Sequence, residues 1–96
     1  MTLDDLKIDY TKYTTQELMD LLPKTIQWRN SDGRWNEGYS LFINYDSMVV
    51  SYSSFTIDNS LFDLLSQDIK GFSVEDLNDA LYRLLVDIIY KGYLKD

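Results

Sequence analysis

The sequence predicts an α+β fold: a three-stranded antiparallel β-meander with helices packed on one face, in the order α-β-β-β-α-α, closed by a long C-terminal helix. Three observations carry that expectation. Between Phe72 and Leu94, the residues Leu77, Leu81, Leu84, Leu85 and Ile88 recur at the three- and four-residue spacing of one helix face. Between Thr25 and Ser53 the apolar period is two, as in half-buried strands. Ahead of both, Thr14 and Pro23 bracket a short apolar segment with start and stop signals.

The long helix is delimited at both ends. Ser73 can cap the backbone N–H of Asp76, and the Asp76 carboxylate can reach back, as in a capping box. Phe72 and Leu77 have the spacing of a hydrophobic staple. Gly92 can take the left-handed conformation that ends a helix, which folds Tyr93 against Ile88. Glu75, Asp76 and Asp79 sit in the first turns, where negative charge complements the helix dipole.

The preceding elements follow in order. Residues 1–13 alternate apolar and charged side chains with no settled period: Leu3 and Leu6 fit a helical turn, whereas Ile8, Tyr10 and Lys12 fit an edge strand. Their simplest role is an arm whose aromatics pack on the body. Thr14 and Glu17 have capping-box spacing, Leu18, Leu21 and Leu22 form a stripe, and Pro23 ends the helix. Ile26 and Trp28 then alternate with polar neighbours, and Asp32-Gly33 signals a type I′ hairpin turn. A turn centred there pairs Ile26 with Tyr39 and Trp28 with Glu37. A second turn centred on Asp46-Ser47 pairs Ile43 with Val50 and Leu41 with Tyr52. Ile26, Trp28, Leu41, Ile43, Val50 and Tyr52 then share one face, the destination of the long helix, and Thr25, Gln27, Ser40, Phe42, Asn44, Ser51 and Ser53 share the other. Phe55 and Ile57 lead out of the sheet. Leu61, Leu64, Leu65 and Ile69 predict a further helix over 59–69, starting near Asp58 or Ser60 and ending at Lys70-Gly71.

Bulk properties bound the function. Residues 1–96 make a single domain with a modest core, for which self-association is a natural supplement. The net charge is −7: residues 56–96 hold eight acids and four bases, whereas residues 24–55 hold three of each. A chain of this charge repels phosphate backbones, so direct nucleic-acid binding is not expected, and a basic partner surface is attracted instead. No tract has the length and apolarity of a membrane span. The acidic start Met-Thr-Leu-Asp-Asp-Leu-Lys does not resemble a signal peptide, and the lack of cysteine favours the cytoplasm.

Catalytic parts are few. With no histidine and no cysteine, serine triads, cysteine nucleophiles and the usual zinc sites are absent. Calcium-loop and phosphate-loop patterns are missing, so no cofactor or metal is expected. The acids Glu75, Asp76 and Asp79 have an adequate capping role. The expectation is therefore a non-enzymatic protein-interaction module, of a size and charge common among accessory proteins of phages or mobile elements. Its candidate contact residues are Arg29, Arg34 and Trp35 at the first hairpin tip, where arginine and tryptophan have hot-spot composition. Trp35 folded back onto the core is the competing reading of that tip. The alternative function is an inhibitor that imitates nucleic acid, of the immunity, anti-restriction or anti-CRISPR type. Its surface would be the carboxylate row Asp63, Asp68, Glu75, Asp76 and Asp79. A second apolar edge on the long helix, Val86, Ile89 and Tyr90, is the candidate for contact with a second copy.

Overall fold

A computed structural model describes residues 2–7, 9–29, 32–55, 58 and 61–94; side chains are described for all of these except 36–40, 55 and 61. After two single 3-10 turns (Leu3–Asp5 and Tyr10–Lys12), the order is α1 (Thr15–Leu21), β1 (Thr25–Arg29), β2 (Trp35–Asn44), β3 (Val49–Phe55), β4 (Leu61–Asp68) and α2 (Val74–Lys91). The strands form one antiparallel sheet in the order β1-β2-β3-β4. The helices lie on a single face, so the fold is α+β, two layers deep, as the sequence predicts.

The fifth element is the main correction: 61–68 is a strand, not a helix. Its pairing explains why the spacing misleads. Tyr52 faces Leu65 but Ser53 faces Asp63, so Leu64 is an inserted bulge residue. A bulge adds one residue to the alternation, which turns a spacing of two into a spacing of three and imitates a helix. Pairing with β4 also gives β3 a second hydrogen-bonded neighbour, which a helix would have denied it. Residues 59 and 60, where the helix was expected to begin, lie outside the described residues, as does Ile57.

The first hairpin is shifted by one residue from the predicted register. Ile26 faces Gly38, Trp28 faces Asn36 and Arg29 faces Trp35, leaving the loop 30–34. Gly33 has the expected positive φ of 85°, but among the described non-glycine residues only Met48 does, so Asp32-Gly33 is not a type I′ turn. Instead, the Asp32 carboxylate accepts the Arg34 N–H at 3.0 Å. The second hairpin keeps the predicted pairs Ile43–Val50 and Leu41–Tyr52. Between Tyr39 and Leu41 the register shifts by one residue. That bulge cancels the shift in the first hairpin, so Ile26, Leu41, Ile43, Val50 and Tyr52 still share a face. Ile26, Val50 and Tyr52 are fully buried, Leu41 and Ile43 pack at the edge of the core, and Trp28 is only half-buried at the rim.

The stripe Leu77, Leu81, Leu84, Leu85 and Ile88 of α2 is buried throughout, in one cluster with Val50, Tyr52, Leu65 and Leu18. Ser73 Oγ accepts the Asp76 N–H at 3.1 Å, and the Ser73 hydroxyl donates to the Asp76 carboxylate at 2.8 Å. That carboxylate lies where a side chain on Gly71 would stand: a Cβ there would meet Asp76 Oδ2 at 2.7 Å. The predicted staple does not form, because Phe72 is 82% exposed. Gly71, lacking a Cβ, leaves room for the Asp76 carboxylate at the helix entry. At the other end Gly92 has φ 71° and ψ 32°, and the Tyr93 N–H donates to the Ile88 carbonyl at 3.0 Å. The chain then runs back along β1: the Gln27 N–H donates to the Tyr93 carbonyl at 2.8 Å, and Leu94 bridges to Ile26.

Helix α1 has its capping box, with the Glu17 N–H donating to Thr14 Oγ1 at 3.1 Å and the Thr14 N–H donating to the Glu17 carboxylate at 3.0 Å. The Thr14 backbone N–H, then its hydroxyl, hold the Glu17 carboxyl below the usual carboxylate range. Thr15 Oγ1 donates to Asn78 Oδ1 at 2.6 Å and ties α1 to α2. The N-terminal arm packs its aromatics on the body, as expected: Tyr10 and Tyr13 lie 6.3 and 6.2 Å from the Tyr82 ring. Tyr10–Lys12 is a 3-10 turn and not a strand, and Ile8 lies outside the described residues. The Tyr52 hydroxyl reaches across the core to the Pro23 carbonyl.

Two outcomes follow for stability. Leu84→Ala, at a fully buried site, should lower the unfolding free energy by about 2–5 kcal/mol, measured by urea denaturation. Burial raises the Tyr52 phenol above its ordinary value of 10.0. The unfolded chain therefore releases this proton first, so the stability is intact below about pH 10 and falls as the pH rises beyond it. Denaturation midpoints across that range should drop, and Tyr52→Phe should flatten the drop. At neutral pH Tyr52→Phe should itself cost about 1 kcal/mol through loss of the bond to Pro23.

Candidate interaction surfaces

The sheet leaves one face without a covering element among the described residues. Strand β2 presents Trp35 and Phe42 there. Arg29 and Trp35 are cross-strand partners, and the Arg29 guanidinium lies 4.9 Å from the Trp35 ring centroid. Trp35 remains 59% exposed, so it does not fold back onto the core. Arg34 pairs with Asp32 at 3.6 Å. The hairpin tip thus unites Arg29 and Trp35 in a cation–π pair, with Arg34 beside them.

The same face carries a residue that sequence reasoning left out of the site. Phe42 pairs with Ser51, opposite in facing to Leu41 and Ile43, and is 55% exposed. It stands about 20 Å along β2 from Trp35, at the usual rise per residue. Between the flanking strands, Ser51 and Ser53 of β3 are buried, and Ser53 Oγ donates to Asp63 Oδ1 at 3.2 Å. The available signal was a phenylalanine on the strand face otherwise read as Ser40, Asn44, Ser51 and Ser53.

The proposed carboxylate row is divided between two elements. Asp63 and Asp68 lie on β4, whereas Glu75, Asp76 and Asp79 lie on α2. Asp76 is committed to Ser73, whereas Asp63 is exposed and accepts one bond from Ser53. Asp79 is largely buried between Arg83 at 3.1 Å and Lys70 at 3.5 Å. Glu75 and Asp68 are exposed. Among the described residues, no group of three or more acids is placed to hold a metal ion.

The second apolar edge of α2 divides. Val86 and Ile89 pack partly against the core, whereas Tyr90 is 79% exposed. Val86 and Tyr90, with Tyr82, Arg83, Asp87 and Gln67, line an open groove of about 380 Å³ on the flank facing β4. Arg83 spans that flank. Its Nε donates to Asp79 at 3.1 Å, Nη1 to Gln67 Oε1 at 2.8 Å and Nη2 to the Asp68 carbonyl at 2.5 Å. A second groove, of about 490 Å³, separates α1 from Leu41 and includes Met19, Leu22 and Pro23. No helix among the described residues is long and apolar enough to cross a membrane.

Comparison with known proteins returns no match: no family, no curated protein and no solved structure. The reading of these surfaces rests on their own chemistry.

Arg83→Met should detach α2 from the end of β4. The expected result is a loss of about 1–3 kcal/mol, with hydrogen exchange quickening first at Ile69 and its β4 neighbours.

Proposed function

We propose that this chain is a small, acidic, cytoplasmic protein-interaction module without catalytic activity, and that it engages a protein partner through the open sheet face. The observation that carries the reading is the pair Trp35 and Phe42, both more than half exposed on a face without a covering element among the described residues. A solvated face is ordinary for an antiparallel sheet; tryptophan beside arginine is the composition of binding hot spots, and Phe42 adds a second exposed aromatic to the same face. The lack of histidine and cysteine supports a non-enzymatic role. So does the commitment of Asp76 and Asp79 to structural bonds. Size and charge fit an accessory protein of a phage or mobile element. Nucleic-acid mimicry draws less support, because Asp79 is neutralised and the other acids are divided between two elements.

The double variant Trp35→Ser/Phe42→Ser tests this. Its thermal midpoint should stay near that of the parent, because both side chains lie outside the core. Affinity for a partner captured from lysate by the parent chain should fall about thirtyfold or more, the loss of about 2 kcal/mol expected of a hot spot. Capture undiminished in the double variant would refute the assignment of the face. A parent that captures nothing and is a strict monomer by light scattering would refute the function.

A further inference from the structure

The two ends of the sheet are treated differently. The outer edge of β1 is closed by the chain itself, through Tyr93 and Leu94. On the far side of β4, no strand pairs with it among the described residues. The Ile69 N–H points inward to the Met48 carbonyl, at 2.8 Å. Alternation then directs the backbone groups of Asp68 and Ser66 outward. Arg83 Nη2 takes the Asp68 carbonyl, which leaves the stretch from Leu61 to Ser66 as the open part of the edge.

The geometry points to β4 as a docking edge for an extended, basic segment of a partner protein, added as a fifth strand. Two features specify that occupant. Strand β4 carries Asp63 and Asp68 and no basic residue, and both acids lie on the outer side of the sheet. A neighbouring strand would set its own outward side chains beside them, so lysine or arginine is complementary there. The alternate side chains of the same strand would point into the helix layer, toward the groove of Val86 and Tyr90. The charges at that groove are already paired, Arg83 with Asp79 and Asp87 with Lys91 at 3.9 Å, so an apolar side chain fits it. The resulting pattern alternates basic and apolar residues, with main-chain bonds supplying affinity and the alternation supplying specificity. A second copy is the poorer occupant, because pairing β4 with itself sets carboxylate against carboxylate. This edge is distinct from the Trp35–Phe42 face, so the two can fail separately.

The probe is a capped heptapeptide of alternating lysine and valine, titrated into the full chain and followed by backbone amide NMR and fluorescence anisotropy. Shift changes and slowed exchange should concentrate on Asp63–Ser66 and on Val86–Tyr90. Affinity should fall at least tenfold when alternate peptide amides are N-methylated, when Asp63→Asn and Asp68→Asn are combined, or when Val86→Glu is introduced. Trp35→Ser/Phe42→Ser should leave it unchanged. The inference is overturned by any of four results: no binding at millimolar peptide, equal binding of a glutamate–valine peptide, equal binding of the same residues as a lysine block and a valine block, or perturbation confined to another surface. Dimerisation through β4 without peptide, lost in the Asp63→Asn/Asp68→Asn variant, would also overturn it by naming a second copy as the occupant.

Discussion

Burial of one stripe of α2 against one face of the sheet is the constraint on which the other elements depend. Leu77, Leu81, Leu84, Leu85 and Ile88 are buried together with Val50, Tyr52 and Leu65, from the two strands beneath the helix. This contact decides which face of every strand must be apolar. It requires α1 to close one flank, through Leu18 and the Thr15–Asn78 bond, and it anchors the N-terminal arm through Tyr82. It also explains why the opposite sheet face is free to carry polar residues and exposed aromatics. A fold of two layers has only one interior.

The parts of this architecture that were legible from the sequence are those with a redundant signal. Helix α2 has a stripe, a serine cap and a glycine stop, and α1 has a capping box and a proline, so each is fixed more than once. The β2–β3 register was legible because apolar alternation and turn position agree. Strand β4 was not, since the bulge at Leu64 gave its leucines a helical spacing and no strong turn signal precedes it. The first hairpin shows a different effect. Its register was off by one, yet the predicted core face largely held, because the bulge at residue 40 restored the parity. Burial selects the face before it selects the register. Phe72 shows the limit of motif spacing: its position relative to Leu77 suits a staple, but its side chain stays exposed.

The contact surfaces were legible in composition and less so in geometry. Arg29 and Trp35 do come together, through their cross-strand pairing, whereas Arg34 pairs with Asp32. Once 61–68 becomes a strand, Asp63 and Asp68 pass to the sheet and Asp79 turns to Arg83 and Lys70. Phe42 was placed on the correct face, but a single aromatic among polar neighbours carries no signal until the face is known to be uncovered.

The return of Tyr93 and Leu94 to β1 has a kinetic consequence. The three hairpins of the sheet join neighbours in sequence and close small loops, so they can form early. The bridge from Ile26 to Leu94 joins the first strand to the segment after the last helix and must wait until α2 has docked and Gly92 has turned the backbone. Until that happens the meander has two open edges instead of one. Docking of the helix covers the apolar face but leaves both edges free to pair with other chains, and only the closure of β1 removes one of them.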